Sequence, residues 1–584
     1  MLSPNANHGF AIMNYPLENL RSAASWFLAA LTVMLGMATT VSAAESPESL
    51  RSPVNQVFQF MQTGTCSTWS NGLPTKATGY LWIPENCRRL RGLLILCANV
   101  PEHMLVGHPA IRQVCMANDL GIFWGVPSFY NFNAKNEHGT QVAFLQHLLD
   151  SLAANSGYAE VATVPWLPMG ESGHLLMVDA LVEAAPERCI AGIWIKNNHL
   201  PPRNRQIPAL VAYGTAQEWS QDKSDLRTNW NNIHQAYEGI LNQRQLYPDW
   251  PLSYLIDGTS GHFDCSARLV QYFAHYIDLV TRARLPMQPG ASLKPISITD
   301  GFLTDLPVPG HEKHPTRAYG ETPPEARAVP WYLDRASAEE AQAIARINWH
   351  AASQLPTFAD EHGQLFPYTF NGITWMPINK TSEPSTNGLV TPTLETESDG
   401  ITFSLQGRLR DKLPANFVGA GEPLAQAPGA TSLEWLCGCV EPLGHGRFRL
   451  ALDRTWPSPI YVAVRHGGSA GIRAAVQPGQ ISRDGHFGGI PQKITFEKIA
   501  DVNASTVSIP LKAHTEAGLP VRFFVVAGPA IVLSDRLVFT KIPPRTRFPV
   551  AVTVAAWQWG RGGDSKVNTA EIVRQTFQIL SESK

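Results

Sequence analysis

Trp166-Leu-Pro-Met-Gly-Glu-Ser-Gly-His174 is the stretch on which the reading of the fold turns. An apolar segment ends in Gly170-Glu171-Ser172-Gly173, and Leu175, Val178, Leu181 and Val182 then continue at helical spacing. A serine at such a junction sits on a sharp strand-to-helix turn, where flanking glycines give a strained backbone its clearance. Its hydroxyl then stands exposed at the carboxyl edge of a sheet. The same turn places the Gly173 amide at a helix N-terminus, where it can donate to a developing oxyanion.

Working outward, residues 51–285 alternate strand-like apolar runs with helical periodicity. Gly92-Leu-Leu-Ile-Leu-Cys-Ala98 and Leu120-Gly-Ile-Phe-Trp-Gly-Val126 read as buried strands, followed by Ile190–Ile195, Ala209–Tyr213 and Leu252–Ile256. Val270, Phe273, Ile277 and Val280 mark a helix with one apolar face. This alternation predicts an α/β fold, a mainly parallel sheet covered by helices. Pro165 and Pro168 predict that the strand before Ser172 is short or begins irregularly.

On these residues the first half resembles the α/β-hydrolase family. The family's elbow is Gly-x-Ser-x-Gly, and this chain carries His174 where the last glycine normally stands. The resemblance implies a serine esterase with Ser172 as nucleophile, similar to secreted bacterial carbohydrate esterases and polyester-depolymerase-like enzymes. The family's chain order, nucleophile then acid then histidine, directs the search for partners. Pro208-Ala-Leu-Val-Ala-Tyr-Gly-Thr-Ala-Gln-Glu218 looks like the family's strand and acid-bearing turn, with Gln217 at the expected acid position. Glu218 is the first candidate for the acid, and Asp222 and Asp225 are the alternatives. Ile256-Asp-Gly-Thr-Ser-Gly-His262-Phe263 places a histidine in a glycine-containing loop after a strand, so His262 is the expected general base. The oxyanion donors are expected to be the amides of Gly173 and Val100, with Asn99 the neighbouring alternative. His174 is expected to be packed or hydrogen-bonded rather than a second base.

Beyond Pro286 the texture changes. Residues 286–395 are rich in proline, as in Pro307-Val-Pro309, with one helix expected over Ser337–Ala352. Residues 396–584 carry strand-like runs at Ile401–Leu405, Arg447–Leu452, Ile460–Val464, Val521–Val526 and Val550–Ala556, which predicts one or two β-sandwiches of immunoglobulin-like type. The hydrolase-like half is expected to hold every catalytic group.

At 584 residues the chain is long enough for several domains of about 150 residues each. Arg21, the apolar run Trp26–Met37 and the small residues Val41-Ser-Ala-Ala44 have the order of a secretory signal, so residues 1–44 are read as a signal peptide and the product as secreted or periplasmic. No membrane contact is expected after cleavage. A net charge of −2 with only 16% charged residues offers no basic field for nucleic acid. In an exported chain eight cysteines permit disulfides, and Cys66 with Cys87, flanking a hairpin around Gly72 and Pro74, is the preferred pair. Cys437-Gly-Cys439 lacks a second pair at zinc spacing, and His311-Glu-Lys-His314 is one residue short of the metalloprotease spacing. No cofactor and no metal are therefore expected. The substrate is expected to be a small or polysaccharide-borne ester; a peptidase and a non-catalytic binding protein on a degenerate scaffold are the alternatives. Oligomeric state is left open.

Overall fold

The computed structural model describes residues 56–582 apart from 67–74, 130–137, 197–203, 217–230, 309–310, 312–314, 348–349, 369–372, 379–391, 483–487 and 563–564. Eight strands form one sheet: β1 (Phe60–Cys66), β2 (Thr75–Trp82), β3 (Gly92–Cys97), β4 (Leu120–Val126), β5 (Trp166–Glu171), β6 (Gly192–Ile195), β7 (Ala209–Ala216) and β8 (Leu252–Gly261). Their spatial order is β1-β2-β4-β3-β5-β6-β7-β8. The first two pairings are antiparallel and all later ones parallel. Every residue of β3, β4 and β5 is buried, as parallel strands covered on both faces must be.

The covering helices are α1 (Val100–Gly107), α2 (Pro109–Ala117), α3 (His138–Ser156), α4 (Leu175–Ala184), α5 (Asn231–Leu246), α6 (Ala267–Arg284) and α7 (Arg335–Ile344). Helices α2 and α6 pack together, joined where Asn118 Nδ2 donates to Asp278 at 2.8 Å, and α3 packs with α4. Ser266 caps α6 by accepting from the Leu269 amide, and Asp334 caps α7 through the Ser337 amide. Strand β5 keeps its full length despite Pro168. It pairs with β3 only as far as Pro168 and with β6 only from Met169, so the proline stands where the strand changes partner. Helix α7 ends at Ile344, not at Ala352 as expected. The chain leaves the helix so that Ile347 can pack on Gly258 of β8, where a Cβ would lie 2.5 Å from the Ile347 side chain.

The β-rich remainder forms two modules. The first holds a four-stranded sheet (374–377, 475–482, 460–466, 432–437) and a three-stranded one (402–404, 447–450, 440–444); the second repeats that scheme with 502–503, 573–580, 550–557 and 522–527 beside 508–510, 536–539 and 530–533. Neither stands off from the α/β half. Residues 49–584 are one compact unit, and a single apolar core runs from Phe58 through β3 and β5 to Phe523, Val552 and Phe577. Each fully buried side chain of this kind contributes about 1.5–3 kcal/mol.

The expected disulfide is absent. All eight cysteines, each among the described residues, are buried, and none is disulfide-bonded to another. The hairpin register explains why Cys66 and Cys87 do not meet. Cys66 pairs with Thr75 at one end of β1–β2, whereas Cys87 follows Trp82 at the other end, about 20 Å away along the strands and well beyond the roughly 7 Å that a disulfide spans. Burial pushes the Cys87, Cys97, Cys115 and Cys189 thiols up to about 12, so they act as small apolar side chains.

Candidate active site

Strand β5 ends at Glu171, and a single 3₁₀ turn, Ser172–His174, leads into α4. Ser172 has φ +52°, the left-handed region that costs a non-glycine residue about 1–3 kcal/mol. The turn is tight enough that a Cβ on Gly170 would lie 2.5 Å from the His174 carbonyl oxygen, which accounts for the glycine two positions before the serine.

His262 lies just past β8, is 1% exposed, and brings Nε2 to 2.9 Å from Ser172 Oγ. The two residues are 90 apart in sequence, and only the sheet order joins their loops. Phe263 meets the imidazole edge-on at 4.8 Å. Elbow, strand order and serine–histidine contact then coincide.

This is the α/β-hydrolase fold. No protein-family model matches the sequence, and no curated protein matches it. Among solved structures it is similar to poly(aspartic acid) hydrolase-1 from Sphingomonas sp. KT-1, at 13% identity over 38% of this chain and 99% of that one, with a TM-score of 0.26. An α/β serine hydrolase without lid from Xanthomonas campestris matches at 12% over 40% of this chain and 100% of its own, TM-score 0.26. Dienelactone hydrolase from Anabaena variabilis matches at 14% over 39% and 99%, TM-score 0.25. At such scores the assignment of the α/β-hydrolase fold rests on strand order and on the turn at Ser172.

The remaining expected site residues divide into those with a position and those without one. Val100 is the first residue of α1, where helix geometry leaves an amide with no intrahelical acceptor. Asn99 caps the same helix, but its side chain is turned to Glu171, donating to both the carbonyl and the carboxylate. His174 is buried with Nδ1 3.6 Å from Glu102 Oε1. The acid candidates Glu218, Asp222 and Asp225, with Gln217, lie outside the described residues, as do His314, the hairpin turn with Gly72 and Pro74, and residues 1–44.

Sequence reasoning missed two features. The first is Glu171, fully buried, with Oε1 3.4 Å from His262 Nε2 on the side that faces the serine. Its own amide donates to Glu102 Oε1 at 2.7 Å. Its position inside the elbow was visible, but nothing in the sequence marks a residue of β5 as turned toward a histidine beyond β8. The second is the support of the histidine loop. Burial opposes the charge of Asp257, yet Lys196 and hydrogen bonds involving Ser260, Ser266 and Thr259 outweigh it and hold the carboxyl below its ordinary range. Asp264 Oδ1 accepts from the Gly261 amide at 2.7 Å, and Oδ2 lies 2.5 Å from Arg465. Arg465 belongs to the first β module; it also donates to the Thr259 carbonyl at 3.2 Å and to Glu434 at 2.6 Å.

That module also closes over α1. The Gly438 amide donates to His103 Nδ1 at 3.3 Å, and Val100 packs with Leu436 and Cys437. Tyr461 stacks on Phe263 at 6.3 Å, and burial, followed by the neighbouring Cys437 and Glu171, pushes its hydroxyl up to about 12. Between α1 and this module lies a cavity of about 170 Å³ lined by Asn99, Val100, His103, Cys437, Thr455 and Tyr461. A larger one of about 630 Å³, lined by Arg91, Pro165 and Arg284 among others, sits at the opposite, amino edge of the sheet, away from Ser172.

Proposed function

We propose that the chain is an exported serine hydrolase that cleaves carboxylic esters through an acyl-enzyme. The observation that carries the reading is the 2.9 Å contact between His262 Nε2 and Ser172 Oγ at a strained strand-to-helix turn. In the proposed reaction Ser172 Oγ gives its proton to His262 Nε2 as it bonds to the ester carbonyl carbon. The carbonyl π electrons move onto oxygen, where the Gly173 and Val100 amides receive the charge. The imidazolium then protonates the leaving alcohol. Water repeats the sequence on the acyl-serine and restores the hydroxyl. Glu171 Oε1 stands 3.4 Å from Nε2, beside the atom that takes and returns the proton.

The acid that orients the other imidazole nitrogen is assigned to Glu218, with Asp222 the alternative. The β modules, read as immunoglobulin-like auxiliary domains, place a small or polysaccharide-borne ester against the cavity beside α1. Cleavage of residues 1–44 delivers the protein to the periplasm or the exterior.

The test is labelling by a fluorophosphonate together with turnover of a short-chain nitrophenyl ester. Wild type is expected to label and turn over. Ser172→Ala is expected to do neither while keeping its circular dichroism, because losing a triad member costs several orders of magnitude in rate. Turnover of that variant at the wild-type rate sinks the proposal. Glu218→Gln is expected to slow acylation far more than Asp222→Asn, and the reverse ranking moves the acid to Asp222.

A further inference from the structure

We propose that His234, Glu238 and His311 form a binding site for one divalent transition-metal ion of the zinc class. The site is independent of the reading of Ser172.

His234 and Glu238 stand four residues apart on α5 and therefore share a face of that helix. His311 comes from the proline-rich connection and is brought to that face by packing. The connection is tied to α5 through Tyr237, whose hydroxyl donates to Asp305 and accepts from the Leu306 amide at 2.9 Å. His311 itself is held by its amide on the Val308 carbonyl at 2.8 Å and by an edge-to-face contact with the Tyr237 ring at 5.4 Å. Its imidazole lies 5.6 Å from that of His234, centroid to centroid.

The donor atoms converge. His311 Nε2 is 2.7 Å from Glu238 Oε1, His234 Nε2 is 4.0 Å from the same oxygen, and all three donors lie within 4.8 Å of one another. Zinc bonds of about 2.0–2.2 Å in tetrahedral geometry separate neighbouring donors by about 3.4 Å. Those distances bracket this value, so adjustments of the side-chain tips by roughly an ångström seat an ion. A hydrogen bond accounts for His311 and Glu238 as they stand. It does not account for His234, which makes no hydrogen bond among the described residues and yet stands 4.0 Å from the same carboxylate oxygen.

Two imidazoles and one carboxylate are a donor set for zinc and its borderline neighbours. Calcium and magnesium favour all-oxygen shells of six or more ligands. Glu238 is half exposed and His311 about one-fifth exposed, so the ion has an entry path and a solvent-facing fourth position. Bound metal would staple the connection to α5. A second cluster, Glu361, His362 and Glu395, has only one imidazole and serves as the control.

The experiment uses the full-length protein, untagged and stripped with chelator, titrated with zinc chloride by calorimetry and with cobalt(II) by visible absorption. One equivalent of zinc is expected, with a tetrahedral cobalt spectrum and a rise in the thermal midpoint on adding zinc. His234→Ala, Glu238→Gln and His311→Ala are each expected to weaken binding at least tenfold. Circular dichroism confirms that each variant is folded, and Glu238→Gln, which conserves size, guards against a packing effect. Absence of saturable zinc uptake by wild type overturns the site. So does uptake unchanged in the combined His234→Ala, His311→Ala protein, or uptake abolished by His362→Ala instead.

Discussion

Ser172 owes its place to one strained residue and to the glycine that makes room for it. At φ +52° it holds a conformation that a serine adopts only where the surrounding structure compels it, and here β5 and α4 do so from either side. Gly170 is the tighter constraint, because a methyl group there meets backbone, the His174 carbonyl, and backbone cannot rotate away. Gly170→Ala is therefore expected to lower stability by about 1–3 kcal/mol through overpacking and to displace the Ser172 hydroxyl. Thermal unfolding and fluorophosphonate labelling check both effects; a variant that melts and labels like wild type removes the steric account of the elbow. His174, in place of the usual last glycine, is accommodated because its imidazole turns to buried Glu102.

At the scale of elements, the loop between β8 and α6 decides whether His262 reaches the serine. The α/β half holds this loop through Asp257, and the first β module holds it through Arg465, which grips Asp264 and the Thr259 carbonyl. Displacing a base by about 1 Å can cost on the order of a hundredfold in rate. Arg465→Gln is expected to reduce the acylation rate per titratable site by about 10–100-fold while changing KM much less, since Arg465 touches the loop and not the cavity. Active-site titration separates this from simple instability. A merely structural arginine would lower the number of competent sites and leave the rate at each of them unchanged.

For the molecule as a whole, the connection after Pro286 is a change of texture without a break in packing. The Gly528 amide bonds to the Phe58 carbonyl at 2.9 Å, and the Arg454 guanidinium lies over the rings of Phe58, Tyr80 and Phe524 at 5.0–5.5 Å. Arg545 pairs with Glu160 at 3.0 Å, and the Arg547 amide bonds to the Ser156 carbonyl. Cutting after Leu285 exposes the apolar face that these contacts cover and also removes α7 and Arg465. A fragment of residues 51–285 is expected to be aggregation-prone, to bind a hydrophobic dye and to lack near-ultraviolet circular dichroism. A soluble fragment with native near-ultraviolet signal and full activity on a small ester would show that the α/β half stands alone.

Read as a string, the chain already marked its strands, the turn at Ser172 and the histidine that comes to meet it. Runs such as Gly92–Cys97, and the glycines about Ser172, act within a few residues, where periodicity and turn sterics are local. His262 was reachable because chain order in this fold constrains where a histidine can lie. Tertiary structure decided what depends on distant pairs. The β1–β2 register keeps Cys66 from Cys87, and β5 passes Pro168 at the point where it changes neighbours. Glu171 comes to His262, Arg465 to Asp264, and His311 to a face of α5 on which His234 and Glu238 already stand. Each of these meetings joins segments tens to hundreds of residues apart. Their proximity follows from how the sheet orders its strands and where the β modules pack, and no local spacing encodes it.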